Sequence, residues 1–252
     1  MDVHHHHHNT SEKKKRFWEY GFEFLMLFLA VSAGFYAENL RERHVERNKE
    51  HEYMLSLLVD LGQDSIQIDN VLKELPIIKE GIDSLANACY HEHPDDSMVY
   101  LMYALNNPYL RLIPLTFSDR TSSQLKNSGS MRLVRNKAVA DSILGYWQQI
   151  DYYNYVSPLN ENFRRKAREL SFKIFDYGVY NSDLGFAQNR SKLRERKLKL
   201  LTEDMAVRHE YINYIYAYRA TLLIYYKPPL LKLQRQGQNL MNLIRKYYGE
   251  SS

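Results

Sequence analysis

Cysteine is nearly absent from this chain, since Cys89 is the only one among 252 residues. A single cysteine excludes an internal disulfide and argues against a Cys-rich metal site. Glycine and proline are also scarce, with 10 and 7 residues, so few positions force a helix to end. No alternating strand pattern of convincing length is present. These absences favour long helices over many short strands.

The motifs of common enzyme classes are missing as well. The sequence contains no GxSxG, no Gly-rich phosphate loop, no HExxH and no paired CxxC. The carboxylates of the first long helical segment are expected beside basic residues on solvated faces. We therefore predict that the protein is not an enzyme and has no cofactor.

The most apolar part of the chain lies near its start, where residues 24–37 carry no charge. Fourteen helical residues rise only about 21 Å, but extension back to Tyr20 gives eighteen residues with Glu23 as the sole charge. Aromatic residues stand at both ends, as in membrane spans. We predict a transmembrane helix over 18–37, anchored by these residues: Phe24, Leu25, Met26, Leu27, Phe28, Leu29, Ala30, Val31, Gly34 and Phe35.

Two other interpretations of this stretch remain open. A signal peptide cleaved at Val31-Ser32-Ala33 would have a basic start and an apolar centre, although Glu19 and Glu23 are unusual there. A buried helix of a soluble protein would explain neither the basic cluster nor the aromatic ends. A single membrane span agrees best with the pattern.

Basic residues flank the apolar stretch in equal number, so this count alone does not decide which end of the membrane helix lies inside the cell. Four precede it and four follow within fifteen residues: Lys13, Lys14, Lys15, Arg16, Arg41, Arg43, Arg47 and Lys49. The N-terminal cluster is denser and free of acids, so we predict that the N-terminus stays inside and the rest of the chain outside.

The chain after the span divides into a charged helical stalk over 38–53 and a helical bundle over 54–249, preceded by a flexible tail over 1–17. The bundle opens with a coiled-coil-like stripe of 3.5-residue period. Its apolar members are Met54, Leu58, Leu61, Ile68, Leu72 and Leu75, followed by Ile78, Ile82, Leu85 and Cys89. Ser65 occupies the position of the repeat between Leu61 and Ile68. Such a stripe needs partner helices along its whole length.

Later helices are marked by capping residues and by prolines. Asp95 or Asp96, Ser118 and Asn136 are predicted caps, and Gly129 is a predicted helix end. We expect Pro76 to kink or split the first helix, Pro158 to interrupt another, and Pro228-Pro229 to form a hinge before a last helix over 230–248. Residues 177–188 form the clearest loop. The predicted fold is all-α: an N-terminal transmembrane helix that continues into a helical stalk and an antiparallel helical bundle.

Histidines provide the candidate metal ligands. Five stand in a row near the N-terminus: His4, His5, His6, His7 and His8. Neutral imidazoles bind Zn, Ni or Cu, but a flexible tail lacks the fixed geometry of a dedicated site. His91 and His93, with Asp95 and Asp96 nearby, form a second possible cluster that an exposed loop explains more simply.

Charge and tyrosine content give further hypotheses. Residues 50–100 hold eleven acids and two lysines, whereas 161–248 hold eighteen basic residues and eight acids. Acidic and basic helices that face each other explain this uneven charge better than a basic face for phosphates or lipid headgroups. We also expect no nucleic-acid binding, because leucines interrupt the basic run over 190–199. Tyrosine-rich helices over 146–155 and 211–226 form either ordinary core or the lining of a ligand pocket.

Three stretches of the sequence resemble an uncharacterised family of single-span membrane proteins from Bacteroidetes. They are VHHHHH followed by KKK, then EYGFEFLMLFLAVSAGFYAENLRE with EYMLSLLVDLGQD, and finally TSSQLKNSGSMRLVRNKAVADSILGYW. Together they cover roughly the first 75 residues and 116–147. The resemblance implies a native His run and an uncleaved anchor, but no activity and no site residues. With the N-terminus inside a two-membrane cell, the bundle would lie in the periplasm.

These features lead to a functional hypothesis. We expect a non-enzymatic, single-pass inner-membrane protein whose bundle, mostly periplasmic, is an interaction or assembly module at the cell envelope. Its expected partners are the lipid bilayer and either a second copy or another envelope protein. The alternative is a ligand or metal sensor domain that signals through a partner protein.

Overall fold

The computed structural model describes residues 10–111, 113–180, 193 and 197–249, and they are mostly helical. The α-helices are α1 (Thr10–Cys89), α2 (Asp96–Tyr109), α3 (Arg120–Asn127), α4 (Lys137–Ile174), α5 (Met205–Thr221) and α6 (Lys227–Tyr248). Short 3-10 turns cover Ser130–Leu133 and Tyr177–Tyr180, and a π-helical turn over Leu222–Tyr226 joins α5 to α6. The only β-pairing among the described residues is an isolated bridge between Phe175 and Leu200. The predicted all-α fold is confirmed.

The chain divides into two compact units, Met1–Tyr53 and Met54–Ser252. In the first unit, residues 10–53 belong to α1, and nearly all side chains from Trp18 to Glu42 are exposed. Arg41 forms an ion pair with Glu38, three residues earlier on the same helix. This pair lies on the solvated surface, where such contacts contribute little to stability.

The second unit is an antiparallel bundle built on three long helical segments. Along α4, the Tyr146 ring packs on Gly237 of α6, and Asn160 bonds to Thr221 of α5. Because these contacts pair the start of α4 with α6 and its middle with the end of α5, α4 runs opposite to the α5–α6 segment.

The part of α1 within this unit also runs opposite to α5–α6. The Gln234 amide of α6 bonds to Asp69, and Arg219 of α5 forms an ion pair with Asp83, 2.6 Å from nitrogen to oxygen. These contacts join the acidic first helix to the basic last third. Arg219 therefore has a counter-charge inside the bundle.

The predicted stripe of α1 forms a large part of the bundle core, with one change of register. The fully buried residues include Met54, Leu61, Ile68, Leu75, Ile78, Ile82, Leu85 and Cys89. Leu58 and Leu72 are only half-buried, and Leu57 and Val71 are buried in their place. The position assigned to Ser65 is wrong, because the buried residue between Leu61 and Ile68 is Asp64.

The prolines do not break the helices as predicted. Pro76 lies inside α1 and Pro158 inside α4, so a split at either position is wrong. Both prolines are exposed, and water can therefore hydrate the carbonyl that each leaves without a donor. The Pro228-Pro229 hinge is also wrong: these residues lie in the first turn of α6, directly after the π-helical turn.

Helix ends agree with the sequence in most cases. The side chains of Asp95 and Asn136 cap α2 and α4, as predicted. Gly129 follows α3 with φ of 65°, a left-handed conformation that glycine adopts without strain. The prediction of Ser118 as a cap is wrong, because α3 begins two residues later with Asp119 in the capping position.

In the last third of the chain, the buried face of α5 contains Tyr211, Ile215 and Tyr218, and Leu222 of the π-helical turn is buried as well. Of the loop predicted over 177–188, the first four residues form a 3-10 turn, and 181–188 lie outside the described residues.

Candidate functional site

The predicted anchor residues share one property: all ten are exposed. Phe24 and Phe35 expose 71% and 73% of their surface. This part of α1 contains an 18-residue stretch long and apolar enough to cross a membrane, no part of which is buried, and no second such helix occurs among the described residues. Apolar surface of this extent, exposed in one run, is unusual for a protein in water.

The candidate metal ligands are not assembled into a site where the structure describes them. The five histidines His4–His8 lie outside the described residues. Within the described part of the chain, no group of three His, Cys, Asp or Glu side chains is placed to hold a metal ion. Asp95, beside the second predicted cluster, accepts a hydrogen bond from the Met98 N–H at 2.7 Å and so caps α2.

Three carboxylates of α1, those of Glu50, Asp60 and Asp64, are buried, which corrects the expectation that its acids lie on solvated faces. Asp60 and Asp64 expose only 3% and 2% of their surface. Asp60 accepts hydrogen bonds from the Thr121 N–H at 3.0 Å and from Arg120 at 3.1 Å. Asp60 thereby supplies the acceptor that α3 lacks at its own N-terminus.

Asp64 joins two other parts of the bundle to α1. It accepts a hydrogen bond from the Ser118 N–H at 2.7 Å and another from the Tyr146 hydroxyl at 3.0 Å. Burial raises the pKa of Asp64 above its ordinary value, and these two hydrogen bonds oppose the rise. Burial also raises the pKa of Tyr146, which keeps its proton as the donor.

The burial of the acidic pair, Asp60 and Asp64, was not predicted, although the helical spacing gives a signal for it. With buried residues at positions 54, 57, 61 and 68, the helical spacing places position 64 on the buried face. An acid at such a position requires donors from elsewhere in the chain, and a single sequence does not identify them. The donors come from residues 118–121 and from Tyr146, 54 or more positions away.

A cleft of about 450 Å³ lies between α4, the α5–α6 segment and the link after α2. It is lined by three buried tyrosines, Tyr153, Tyr218 and Tyr226, which come from the two tyrosine-rich helices. Tyr146 and Tyr211 instead face inward, towards Asp64 and Asn106. Burial raises the pKa of Tyr218, so its hydroxyl is neutral at physiological pH.

Cys89, Arg208 and two leucines of the basic run over 190–199 are buried in the bundle. Cys89 is fully buried, and burial raises the pKa of its thiol to about 12, so it is not a reactive nucleophile. Arg208 is buried, and its guanidinium donates to the main-chain carbonyls of His91 and Glu92. In the basic run, Leu193 and Leu198 are buried, and most of its other residues lie outside the described part.

Comparison with known proteins adds no assignment. No protein family, curated protein or solved structure matches the chain.

Proposed function

We propose that this protein is a non-enzymatic, membrane-anchored helical protein that acts as an interaction or assembly module at the cell envelope. The observation that carries the proposal is the exposed apolar stretch of α1. Exposed hydrocarbon costs about 25 cal/mol for each Å², and lipid around the stretch removes that cost. The resemblance to single-span proteins of Bacteroidetes supports the same proposal.

The proposed location is the inner membrane, with one crossing, the N-terminus inside and the bundle in the periplasm. The denser cluster at residues 13–16 supports this orientation. A sensor in this arrangement would signal through a partner protein.

Assembly with a second copy or an envelope protein needs an outer surface of the bundle. The stripe that begins at Met54 is unsuitable because it is buried within its own unit. Leu55, Val59 and Ile66 are exposed on α1 at spacings of four and seven residues, which places them on one helix face. A concentration-dependent mass in detergent, reduced when all three residues are replaced by Ser, tests this face.

A topology experiment tests the anchor. We fuse alkaline phosphatase after Ser252 and, separately, a fluorescent protein, in the full chain and in a chain that lacks 18–37. Phosphatase activity in the membrane fraction, lost with the deletion, is the expected result. Activity in a soluble fraction of a shortened chain would identify a cleaved signal, and fluorescence at the membrane would reverse the orientation.

A ligand sensor is the second candidate function, and the tyrosine-lined cleft favours it. Its test is whether a small molecule raises the Tm of the full chain in detergent. The metal form of this hypothesis rests on the five histidines His4–His8. If replacement of all five by Ser leaves growth under metal stress unchanged, the metal hypothesis is wrong.

A further inference from the structure

A second groove, of about 550 Å³, lies between α4 and the start of α6. Gly145 leaves room in it, because the nearest neighbouring side-chain atom to a Cβ at that position would be Gln236 Nε2, at 4.0 Å. The groove shares no lining residue with the tyrosine-lined cleft and none with the exposed face of α1. Ligand binding in this groove is therefore independent of both proposed functions.

Three glutamines, Gln148, Gln149 and Gln236, supply side-chain amides to the groove. The Gln236 Oε1 is buried and has no hydrogen-bond partner among the described residues. A buried polar atom without a partner costs free energy. Rotation about the last side-chain bond exchanges this oxygen with the Nε2 that faces Gly145. A ligand group beside Gly145 that donates a hydrogen bond can therefore remove the cost.

The π-helical turn adds a main-chain acceptor that its own helix does not pair. The Ile224 carbonyl would accept from residue 228 in an α-helix and from residue 229 in a π-helix. Both residues are prolines without an N–H, so neither bond forms. Ile224, Pro228 and Pro229 line the groove, and Ile224 is 61% exposed. Hydroxyl groups of a ligand can donate to this carbonyl.

Tyr152 gives the groove an accessible aromatic ring. It is 50% exposed, whereas the three tyrosines of the other cleft are buried. An aromatic ring has a negative face, and the C–H groups of a pyranose ring present positive hydrogens to such a face. Sugar hydroxyls both donate and accept hydrogen bonds, as do the glutamine amides. The ring and the amides together match the chemistry of a saccharide.

The one charge among the described lining residues belongs to Lys232. Its side chain is exposed and forms no ion pair with a described residue. Hydrogen bonds to an ionised group are stronger than those between neutral groups, so this ammonium favours a ligand with a carboxylate. Because Lys232 is exposed to water, the preference is modest.

We propose that the groove binds a saccharide that carries a carboxylate. The pyranose ring packs on Tyr152, the hydroxyls bond to the glutamine amides and to the Ile224 carbonyl, and the carboxylate contacts Lys232.

Methyl β-D-glucuronide is the probe, and isothermal titration calorimetry of the full chain measures its Kd. The detergent is lauryldimethylamine oxide, because a detergent with a sugar headgroup would compete for the groove. Methyl β-D-glucoside, which has no carboxylate, should bind roughly two- to fivefold more weakly. Cyclohexanecarboxylate, which has no hydroxyls, should not bind.

Two positions on α4 locate the binding. Gly145→Leu fills the groove and should abolish binding, while the Tm should not fall because leucine is a better helix former than glycine. Tyr152→Ala removes the ring and should weaken the glucuronide roughly two- to tenfold. Tyr155→Ala, at an exposed position outside the groove, should leave the Kd unchanged.

A matched pair on α6 tests the role of charge. Lys232→Gln should bind the two glycosides equally well. Arg235→Gln, also exposed on α6 but outside the groove lining, should keep the preference for the glucuronide.

Several results would overturn the proposal. They are no binding of methyl β-D-glucuronide, an unchanged Kd in Gly145→Leu, and a preference for the glucuronide that is absent in wild type or survives Lys232→Gln. If Gly145→Leu lowers the Tm, Tyr152→Ala and Tyr155→Ala decide, and an equal Kd in these two variants overturns the proposal.

Discussion

The buried hydroxyl of Tyr146 donates a hydrogen bond to Asp64. Tyr146→Phe removes this bond and leaves the buried carboxylate with one donor fewer. It should therefore lower the free energy of unfolding by about 1–3 kcal/mol.

Urea unfolding of the full chain in detergent, followed by circular dichroism, measures this change. Tyr155→Phe, at an exposed position, is the control with an expected change near zero. An unchanged free energy of unfolding in Tyr146→Phe would mean that the hydrogen bond to Asp64 does not stabilise the bundle.

Asp64 should make stability depend on pH in a direction unusual for an aspartate. Because burial raises its pKa above 3.8 in the folded state, its favourable contribution is complete below pH 3.8 and is lost as the pH rises through the folded pKa. In Asp64→Asn this dependence disappears, while the amide can still contact Ser118 N–H and the Tyr146 hydroxyl.

The measurement is the unfolding free energy of wild type minus that of Asp64→Asn between pH 3.5 and pH 7. We expect the difference to favour wild type most at pH 3.5 and to fall towards pH 7. Asp141→Asn, at an exposed position, is the control. A difference that grows with pH would show that the hydrogen bonds outweigh burial.

The N-terminus of α3 is capped by a side chain from another helix, Asp60 of α1. Asp60→Ala leaves the buried Thr121 N–H without its acceptor and should cost about 1–3 kcal/mol of stability. Hydrogen exchange of the amides in 120–127 should become faster, because the first turn loses its anchor.

Asn136→Ala is the matched change at an ordinary cap. It should cost about 1 kcal/mol and affect only the first turn of α4. Unchanged exchange in α3 after Asp60→Ala would show that the cross-helix bond does not hold that helix in place.

Helices were easier to predict than their interruptions. Local side-chain bonds define the starts of α2 and α4, and the sequence predicted both from Asp95 and Asn136. Neither Pro76 nor Pro158 ends its helix, because packing around each helix outweighs the loss of one hydrogen bond. The cap of α3 was missed because its acceptor, Asp60, is 61 positions away from Thr121.

For the molecule as a whole, the proposed membrane anchor is the feature with the largest testable effect. Arg at the centre of a spanning helix costs about 2.5–3.5 kcal/mol of insertion free energy. Leu27→Arg should therefore reduce the fraction of chain that resists alkaline extraction from membranes. Leu40→Arg, also exposed on α1 but within the charged segment over 38–53, should have little effect. Equal loss in both variants would argue against an anchor centred on residue 27.

The whole architecture was predictable to a coarse level. Composition and periodicity predicted an all-α fold, and the apolar stretch was evident from residues 24–37 alone. The acidic pair and the cleft were beyond prediction, since they depend on which helices meet. The acidic pair also joins two of the three stretches behind the family resemblance: Asp60 and Asp64 lie in the second stretch, and Thr121 and Tyr146 lie in the third.

The π-helical turn over Leu222–Tyr226 also has an evolutionary meaning. Deletion of one residue from such a turn restores the ordinary α-helical repeat, so the turn is structurally equivalent to a one-residue insertion in a helix. Homologues that lack this insertion should show a one-position gap between 222 and 226 when aligned with this chain. Their equivalent of Tyr226 would then be rotated away from the cleft that Tyr153 and Tyr218 line in this chain.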